Sequence, residues 1–229
     1  MSTEAKPLLQ RQTVTAMVAD YIASKIIGGD YPGGYQIRQE AIAAELGVSR
    51  IPVREALLQL EAEGLVVIRT HRGAVVSDLS ADDAIDLFDA RLLLEPFLVR
   101  KAMARMDEDD IAHAGKALQH YEDAIPRGDP KELSRLNWAF HVALLAPSKR
   151  PRSMSVLQTL YNSADRYLRL QIEPVKAQTK ALHEHRDIYA AYAARDIVQT
   201  AKLLKKHVAD AADEIVSQLK ADEGLAEGL

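Results

Sequence analysis

The sequence predicts a mainly α-helical protein made of an N-terminal winged helix-turn-helix domain and a C-terminal all-α bundle of six helices. Three observations support this fold class. Residues 14–76 show three helical patterns followed by two short β-branched runs, the order of a helix-turn-helix with a β-wing. Downstream of residue 78 the apolar residues recur only at helical spacing. The composition, with 48% hydrophobic and 27% charged residues, is that of a globular protein.

The composition also excludes several classes of protein and site. The chain has no cysteine, so disulfides, thiolate catalysis and thiolate metal sites are all ruled out. Its uncharged stretches are far shorter than the roughly 20 apolar residues of a membrane-spanning helix, and its first residues lead into no signal-peptide core. We therefore expect a soluble, cytoplasmic protein with no membrane partner.

The net charge of −4 is unevenly distributed along the chain. Residues 1–76 carry eight basic and eight acidic side chains, so the whole negative excess lies in residues 77–229. The charge of the whole chain therefore says little about a local binding face. The positions of individual arginines in the first region are more informative.

Helix signals divide the first region into three segments. The first helix is predicted from an apolar face at helical spacing, formed by Val14, Met17, Val18, Tyr21, Ile22 and Ile26. A segment rich in glycine and proline, 28–34, ends this helix. A second helix spans 39–46 and ends at Gly47. A third spans 50–63, with Ser49 as its predicted N-cap.

Two β-branched runs follow the third helix. The runs 65–68 and 74–76 predict a β-hairpin, because a short glycine-containing segment separates them. The candidate wing residues in this segment are Arg69, His71, Arg72 and Gly73. Such a wing reaches the minor groove or the backbone of DNA, and a glycine at its tip allows a close approach.

Two arginines stand at the start of the third helix. Arg50 and Arg54 are four positions apart and therefore share one face of that helix. This is the end that a helix-turn-helix inserts into the major groove, where arginine binds guanine O6 and N7. Ser49 and the free N–H groups of the first turn are suited to a DNA phosphate. The alternative is that both arginines are solvated helix charges, with Arg54 paired to Glu55 or Glu61.

The same segment carries a longer motif. Its residues are Gly47-Val48-Ser49-Arg50-Ile51-Pro52-Val53-Arg54-Glu55-Ala56-Leu57, Leu60, Glu63-Gly64-Leu65 and Arg72-Gly73. This motif resembles the winged-helix signature of the GntR family of bacterial transcription regulators. The resemblance implies a homodimer that binds an inverted repeat of double-stranded DNA and releases it when a metabolite binds the C-terminal domain. Some relatives carry a further DNA-contacting arginine at position 40, where this chain has Glu40, and Arg38 is not equivalent to it.

The remaining chain divides into helical segments at proline and glycine breaks. The predicted helices span 81–105, 108–124, 130–146, 152–170, 174–194 and 196–220. The expected organisation is a flexible N-terminus (1–12), a winged helix-turn-helix domain (13–76), a linker (77–80), a helical domain (81–220) and a frayed tail (221–229).

Candidate metal ligands occur on three of these helices. Asn137 and His141 are one turn apart, and His185 and His207 lie on the fifth and sixth predicted helices. Imidazoles that enter one bundle core from separate helices form a plausible site for Zn²⁺ or another divalent ion. His183 cannot easily join His185, because residues two apart point to opposite sides of a helix. The alternative is that these histidines are simply exposed or packed.

A second resemblance concerns this helical region. The residues that carry it are Arg91-x-x-x-Glu95, Asn137-x-x-Phe140-His141, Glu184-His185-Arg186 and His207. They are similar to the FCD effector domain of the FadR subfamily, and six helices rather than seven are similar to its VanR-type branch. The resemblance implies an effector-binding and dimerisation domain in which a divalent metal sits beneath a carboxylate effector. The metal ligands that it implies are Asn137, His141, His185 and His207, with Zn²⁺ as the first candidate metal and Ni²⁺ or Mn²⁺ as alternatives.

The effector carboxylate needs a cationic partner. Arginine binds carboxylates through paired hydrogen bonds, and the candidates are Arg91, Arg166 and Arg169. For Arg91 the alternative is an i,i+4 salt bridge with Glu95.

We therefore expect a metabolite-responsive transcriptional repressor, not an enzyme. A first alternative keeps the DNA-binding role but has a metal-free pocket for an acyl or other apolar ligand. A second is a small metal-dependent hydrolase. Against the hydrolase, no carboxylate is positioned as a general base beside the histidines and no His-Glu-x-x-His motif occurs.

Overall fold

The computed structural model describes residues 13–168 and 174–226. The chain separates into two compact units, Met1–Asp78 and Leu79–Leu229, which are treated separately below. Three sequence predictions lie outside the described residues: the flexible N-terminus 1–12, the candidate Arg169 and the last three residues of the expected tail.

The first unit contains a helix-turn-helix followed by a β-hairpin. Its elements are α1 (Val14–Ile27), β1 (Gln36–Ile37), α2 (Gln39–Leu46), α3 (Arg50–Ala62), β2 (Val66–Arg69) and β3 (Gly73–Val76). The Thr13 side chain caps α1 by accepting from the Ala16 N–H. Gly47 ends α2 with a φ of 65°, a left-handed conformation that favours glycine. The predicted order of helices and hairpin is thus confirmed.

The core of this unit lies between the three helices and the sheet. Its largest fully buried side chains are Ile22, Leu57, Leu60 and Leu65. Val14 and Met17, which the helical pattern assigned to the buried face of α1, are instead exposed. The apolar spacing continued one turn beyond the part of α1 that packs against the core.

The antiparallel sheet has three strands in the order β1-β3-β2. The hairpin was predicted, but β1 was not, because two residues after a glycine-rich segment carry no strand periodicity. Gln36 pairs with Val75, which attaches the start of the helix-turn-helix to the wing. At the other edge Arg69 pairs with Gly73, so the wing turn contains only residues 70–72.

The second unit is helical throughout its described part. Its helices are α4 (Ala81–Met103), α5 (Glu108–Ala124), α6 (Pro130–Leu145), α7 (Pro151–Leu168), α8 (Pro174–Ala193) and α9 (Ile197–Ala226). Short 3₁₀ turns at Ile125–Arg127 and Ala146–Ser148 separate α5 from α6 and α6 from α7. The prediction of six helices is confirmed for the described residues.

Local chemistry explains the helix starts. Ser80 accepts a hydrogen bond from the Asp83 N–H at the start of α4, and Asp107 and Asp110 form a capping box at the start of α5. Helix α9 continues to Ala226, six residues beyond its predicted end at residue 220. A single glycine, Gly224, costs a helix only about 1 kcal/mol and did not end it.

Helix α4 is central to this unit and packs against α6, α7 and α9. One apolar cluster joins α4 to α5, α6, α8 and α9 through Leu98, Leu118, Phe140, Tyr192 and Leu204. A second joins the first half of α4 to α7 and α9. Within the described residues, no helix is long and apolar enough to span a membrane.

Candidate DNA-binding face and metal-binding histidine cluster

The N-terminal end of α3 forms an exposed face. Ser49, Arg50, Ile51 and Arg54 are all exposed there. Ser49 occupies the N-cap position, but its hydroxyl makes no capping hydrogen bond, so the predicted side-chain cap is wrong. The physical reason is Pro52: it stands at the third helical position, where the usual N–H donor to a cap is missing. The serine hydroxyl and the first N–H groups of α3 therefore remain available to an anion.

The two arginines of this face differ in their surroundings. Nη1 of Arg50 lies 3.0 Å from Oε1 of Glu40, which projects from the first turn of α2. Within the described chain, Arg54 makes neither a hydrogen bond nor an ion pair. Its two proposed partners are engaged elsewhere, because Glu55 accepts from the Thr15 hydroxyl and Glu61 from the Ile68 N–H. The structure therefore does not form the predicted alternative pairs of Arg54.

The wing presents its predicted residues at one tip. Arg69, His71, Arg72 and Gly73 are all exposed. His71 has a φ of 66° and Gly73 a φ of 71°, so two left-handed residues tighten the turn. Apart from the glycine itself and its two chain neighbours, no atom lies within 4 Å of the position that a Cβ of Gly73 would occupy. The glycine therefore serves the backbone conformation here and leaves open space beside the tip.

Three histidines from three helices meet in the core of the second unit. His141 on α6, His185 on α8 and His207 on α9 are buried, and their candidate ligand nitrogens all lie within 4.8 Å of one another. Nε2 of His185 is 3.3 Å from Nε2 of His207. Nε2 of His141 is buried and has no hydrogen-bond partner in the described structure. His183 lies outside the cluster, exposed, with Nδ1 on the Thr179 carbonyl.

Two glutamate carboxylates contact the Nδ1 atoms of two of these imidazoles. Oε2 of Glu95 lies 2.8 Å from Nδ1 of His141, and Oε2 of Glu184 lies 2.6 Å from Nδ1 of His207. Burial lowers the pKa of His141, and Glu95 opposes that effect only in part. Burial, together with the two neighbouring histidines, lowers the pKa of His185 well below its usual value. Neutral His141 therefore donates from Nδ1 to Glu95 and turns its Nε2 lone pair toward the cluster.

Glu95 also pairs with Arg91, one helical turn before it. Nε of Arg91 lies 2.8 Å from Oε1 of Glu95, and both side chains are buried. Burial alone would raise the pKa of Glu95, but Arg91 and His141 outweigh it and lower the pKa to about 2. The guanidinium of Arg91 also lies over the rings of Phe88 and Tyr161. The salt bridge named as the alternative role of Arg91 is thus present, on the same carboxylate that orients His141.

The donor set fits a divalent metal. Imidazole nitrogens are ordinary ligands of Zn²⁺, Ni²⁺ and related ions, and the unpartnered buried nitrogen of His141 otherwise lacks compensation for its burial. Asn137 lies one turn before His141, and its amide nitrogen donates to the Tyr161 hydroxyl. Its Oδ1 accepts no hydrogen bond within the described residues. The side chain of Arg166 is not described, although its backbone belongs to α7.

Sequence reasoning missed three carboxylates in these sites. Glu184 was named only within the motif Glu184-His185-Arg186, yet it reaches His207 on another helix. Glu95 was noted only as the partner of Arg91, and Glu40 only as a departure from the family pattern. The contacts of Glu40 with Arg50, of Glu95 with His141 and of Glu184 with His207 each join two different helices, so spacing along one helix does not signal them.

Comparison with known families gives the same division of the chain. The model for bacterial regulatory proteins of the gntR family matches residues 14–76, and the model for the FCD domain matches residues 86–210, more than half of the chain. The chain belongs to the GntR family of bacterial regulatory proteins. The GntR signature covers the helix-turn-helix and wing, and the FCD match contains all three clustered histidines.

Several proteins are similar to this GntR-family regulator over most of its length. The HTH-type transcriptional regulator YdhC of Bacillus subtilis is 31% identical over 72% of this chain and 74% of its own. The HTH-type transcriptional repressor GlaR of Escherichia coli is 29% identical over 82% of this chain and 89% of its own. A crystal structure of a GntR regulator from Rhodococcus sp. RHA1 superposes with a TM-score of 0.76 at 26% identity, covering 89% and 97% of the two chains. These families are transcription regulators, not enzymes.

Proposed function

We propose that this GntR-family regulator is a homodimeric repressor, released from an inverted-repeat operator when a small carboxylate binds over a divalent metal in its FCD domain. The observation that carries the proposal is the buried cluster of His141, His185 and His207, two of them oriented by carboxylates. Six described helices in the second unit favour the VanR-like branch of the FadR subfamily. Binding to operator DNA also requires the cytoplasmic location expected from the sequence.

The DNA-binding part of the proposal is supported by the exposed face at the start of α3. Arg54 has no partner in the described chain and is therefore free to bind a guanine edge with both arms. Ser49 and the first N–H groups of α3 would hold a phosphate, and the wing residues Arg69, His71 and Arg72 would contact the adjacent backbone or minor groove. Relatives with repressor names support repression as the direction of control.

The metal would be held by His141, His185 and His207, with Asn137 as a fourth candidate ligand. When bound, the ion supplies a local positive charge that attracts a carboxylate. Because Asn137 is neutral, this ligand set removes less of that charge than a set with aspartate would. Glu95 and Glu184 fix the tautomer and orientation of two imidazoles, and such supporting partners commonly change metal affinity by about 10- to 100-fold.

For the effector carboxylate, Arg91 is the one candidate among the three arginines whose side chain the structure describes. It belongs to the buried network that includes His141, through Glu95. Its Nε is committed to Glu95, so a ligand would have to use the two terminal nitrogens of the guanidinium. Arg166 and Arg169 remain candidates, because a carboxylate effector needs a cationic partner.

The homodimer is supported by one exposed strip of α4. Most of the middle of this helix is buried, yet Leu93 is 79% exposed and Phe97 is 44% exposed. Asp86 and Arg100 stand seven positions before and after Leu93, and both are exposed. A second copy packed antiparallel across Leu93 would place Asp86 of one copy beside Arg100 of the other, which is the self-complementarity of a twofold interface. The occupant that fits this strip is therefore a second copy of the chain.

Effector control requires two arrangements of the dimer that DNA and effector favour differently, because a ligand with equal affinity for both shifts nothing. A carboxylate bound at the histidine cluster contacts α6, α8 and α9 directly and α4 through Glu95. Since α4 carries the proposed dimer strip, effector binding would change the packing of the two copies and hence the spacing of their DNA-binding units.

Elemental analysis of the native protein, combined with thermal shifts against a panel of small carboxylic acids, tests the proposal. We expect one divalent ion per chain and a melting temperature that rises with carboxylate only when the metal is bound. Absence of both would contradict the metal-dependent sensor. It would favour the metal-free alternative, in which the 3.3 Å contact between His185 and His207 is an ordinary hydrogen bond in a pocket for an apolar ligand.

A further inference from the structure

Glu40 places a carboxylate on the DNA-binding face. Its Oε1 lies 3.0 Å from Nη1 of Arg50, and both side chains are about two-thirds exposed. The other oxygen, Oε2, has no partner within the described residues. Arg50 keeps Nη2 and Nε unengaged in the same part of the structure. The pair thus presents one hydrogen-bond acceptor, Oε2 of Glu40, and two donors, Nη2 and Nε of Arg50, at the N-terminal end of α3.

Stability does not account for this arrangement. An exposed ion pair contributes only about 0–1 kcal/mol to folding. At a surface that approaches DNA, in contrast, a carboxylate has a large effect on the free energy of binding, because the phosphates repel it. In the major groove, the groups that a carboxylate can approach favourably are the amino groups on the base edges.

We propose that Glu40 reads a base together with Arg50: Oε2 accepts from the N4 amino group of a cytosine while Arg50 donates from Nη2 and Nε to a guanine. The inference rests on the proposed DNA-binding function. Cytosine is favoured over adenine as the partner because the guanine bound by Arg50 is itself paired with a cytosine. In the major groove the N4 group of that cytosine lies beside guanine O6.

Arg50 and Arg54 then have separate tasks. Arg54, which has no partner in the described chain, reads one guanine alone. Arg50 is held in place by Glu40 and reads its guanine as one member of a pair. The departure at position 40 from relatives with arginine there therefore changes which base is read, and does not simply remove a contact.

Selection from a random-sequence duplex DNA library tests the inference with the full-length protein. The variants are Glu40→Gln, which cannot accept as a charged group, and Arg50→Ala. The matched control is Glu45→Gln, which removes the same charge from the same helix at a carboxylate that bonds the Tyr21 hydroxyl instead. Melting temperatures of all variants verify folding.

We expect Glu40→Gln to lose about fivefold to tenfold of the preference for the G·C pair read by Arg50 and Glu40 in each half-site, while the preference read by Arg54 persists. Arg50→Ala should lose the whole preference at the same base pair, and Glu45→Gln should match the wild type. Identical base preferences in Glu40→Gln and wild type, with uniformly tighter binding, would overturn the inference and leave Glu40 as a neutraliser of Arg50. If the wild type enriched no sequence at all, the proposed function itself would fail, and the inference with it.

Discussion

Glu95 and His141 are joined by a buried contact of 2.8 Å, although 46 positions separate them in the sequence. The same carboxylate receives Nε of Arg91 at 2.8 Å. One side chain on α4 therefore neutralises a buried arginine and orients a candidate metal ligand on α6. This double role links the packing of α4 to the state of the histidine cluster.

Glu95→Gln should affect stability and metal affinity together. The amide leaves Arg91 buried without a counter-charge, which is expected to lower the free energy of unfolding by about 3–5 kcal/mol. It also orients His141 less firmly, so metal affinity should fall by about 10- to 100-fold. Chemical denaturation measures the first effect, and competition with a metal chelator measures the second.

Glu184→Gln is the companion variant that separates the two effects. Glu184 supports His207 but is partly exposed and pairs with no buried arginine. We expect a similar loss of metal affinity with a much smaller loss of stability. Unchanged metal affinity in both variants would refute the supporting role of the carboxylates.

The double variant His141→Ala/His185→Ala should lose the bound metal, because it removes two of the three clustered ligands. Mass spectrometry of the native protein is the measurement. His183→Ala is the matched control, since this exposed histidine lies two positions from His185 on the same helix and outside the cluster. Metal retained at one ion per chain in the double variant would rule out the histidine site.

Arg54→Ala should weaken binding to a DNA duplex selected by the wild type by about 1–3 kcal/mol and relax the base preference at one position. A mobility-shift titration at several salt concentrations measures the loss. Arg72→Ala, on the wing, should instead weaken binding to all sequences alike. It should also reduce the slope of the logarithm of the binding constant against the logarithm of salt concentration by about the amount that one phosphate contact contributes. Full affinity in Arg54→Ala would mean that α3 is not the recognition helix.

Leu93→Glu should shift the chain from dimer to monomer, because it places a charge at the centre of the proposed α4 contact. Val198→Glu is a matched control, as Val198 on α9 is also highly exposed, at 77%. Light scattering after size-exclusion chromatography reports the mass. A second check exchanges the proposed charge pair: Asp86→Arg and Arg100→Asp should each weaken the dimer, and the two combined should restore it.

The sequence alone was sufficient for most of the fold. Helix caps, glycine and proline breaks and apolar periodicity are local, so they located the helix-turn-helix, the wing hairpin and six downstream helices. The errors arose where local signals were weak or where tertiary contacts decided strand pairing and burial. The two-residue strand β1 forms only because β3 lies beside it. Val14 is exposed because the core contacts of α1 begin only after its first turn, at Val18.

The functional site divides in the same way. The sequence by itself determined which side chains are candidates, because histidine, arginine and asparagine have fixed chemistry and the family motifs place them along the chain. Only the tertiary structure decided which of them meet: His141, His185 and His207 converge, Glu95 and Glu184 support them, and Glu40 pairs with Arg50 while Arg54 has no partner in the described chain. The physical reason is that contacts between helices depend on how the helices pack, and residue spacing along the chain does not specify that packing.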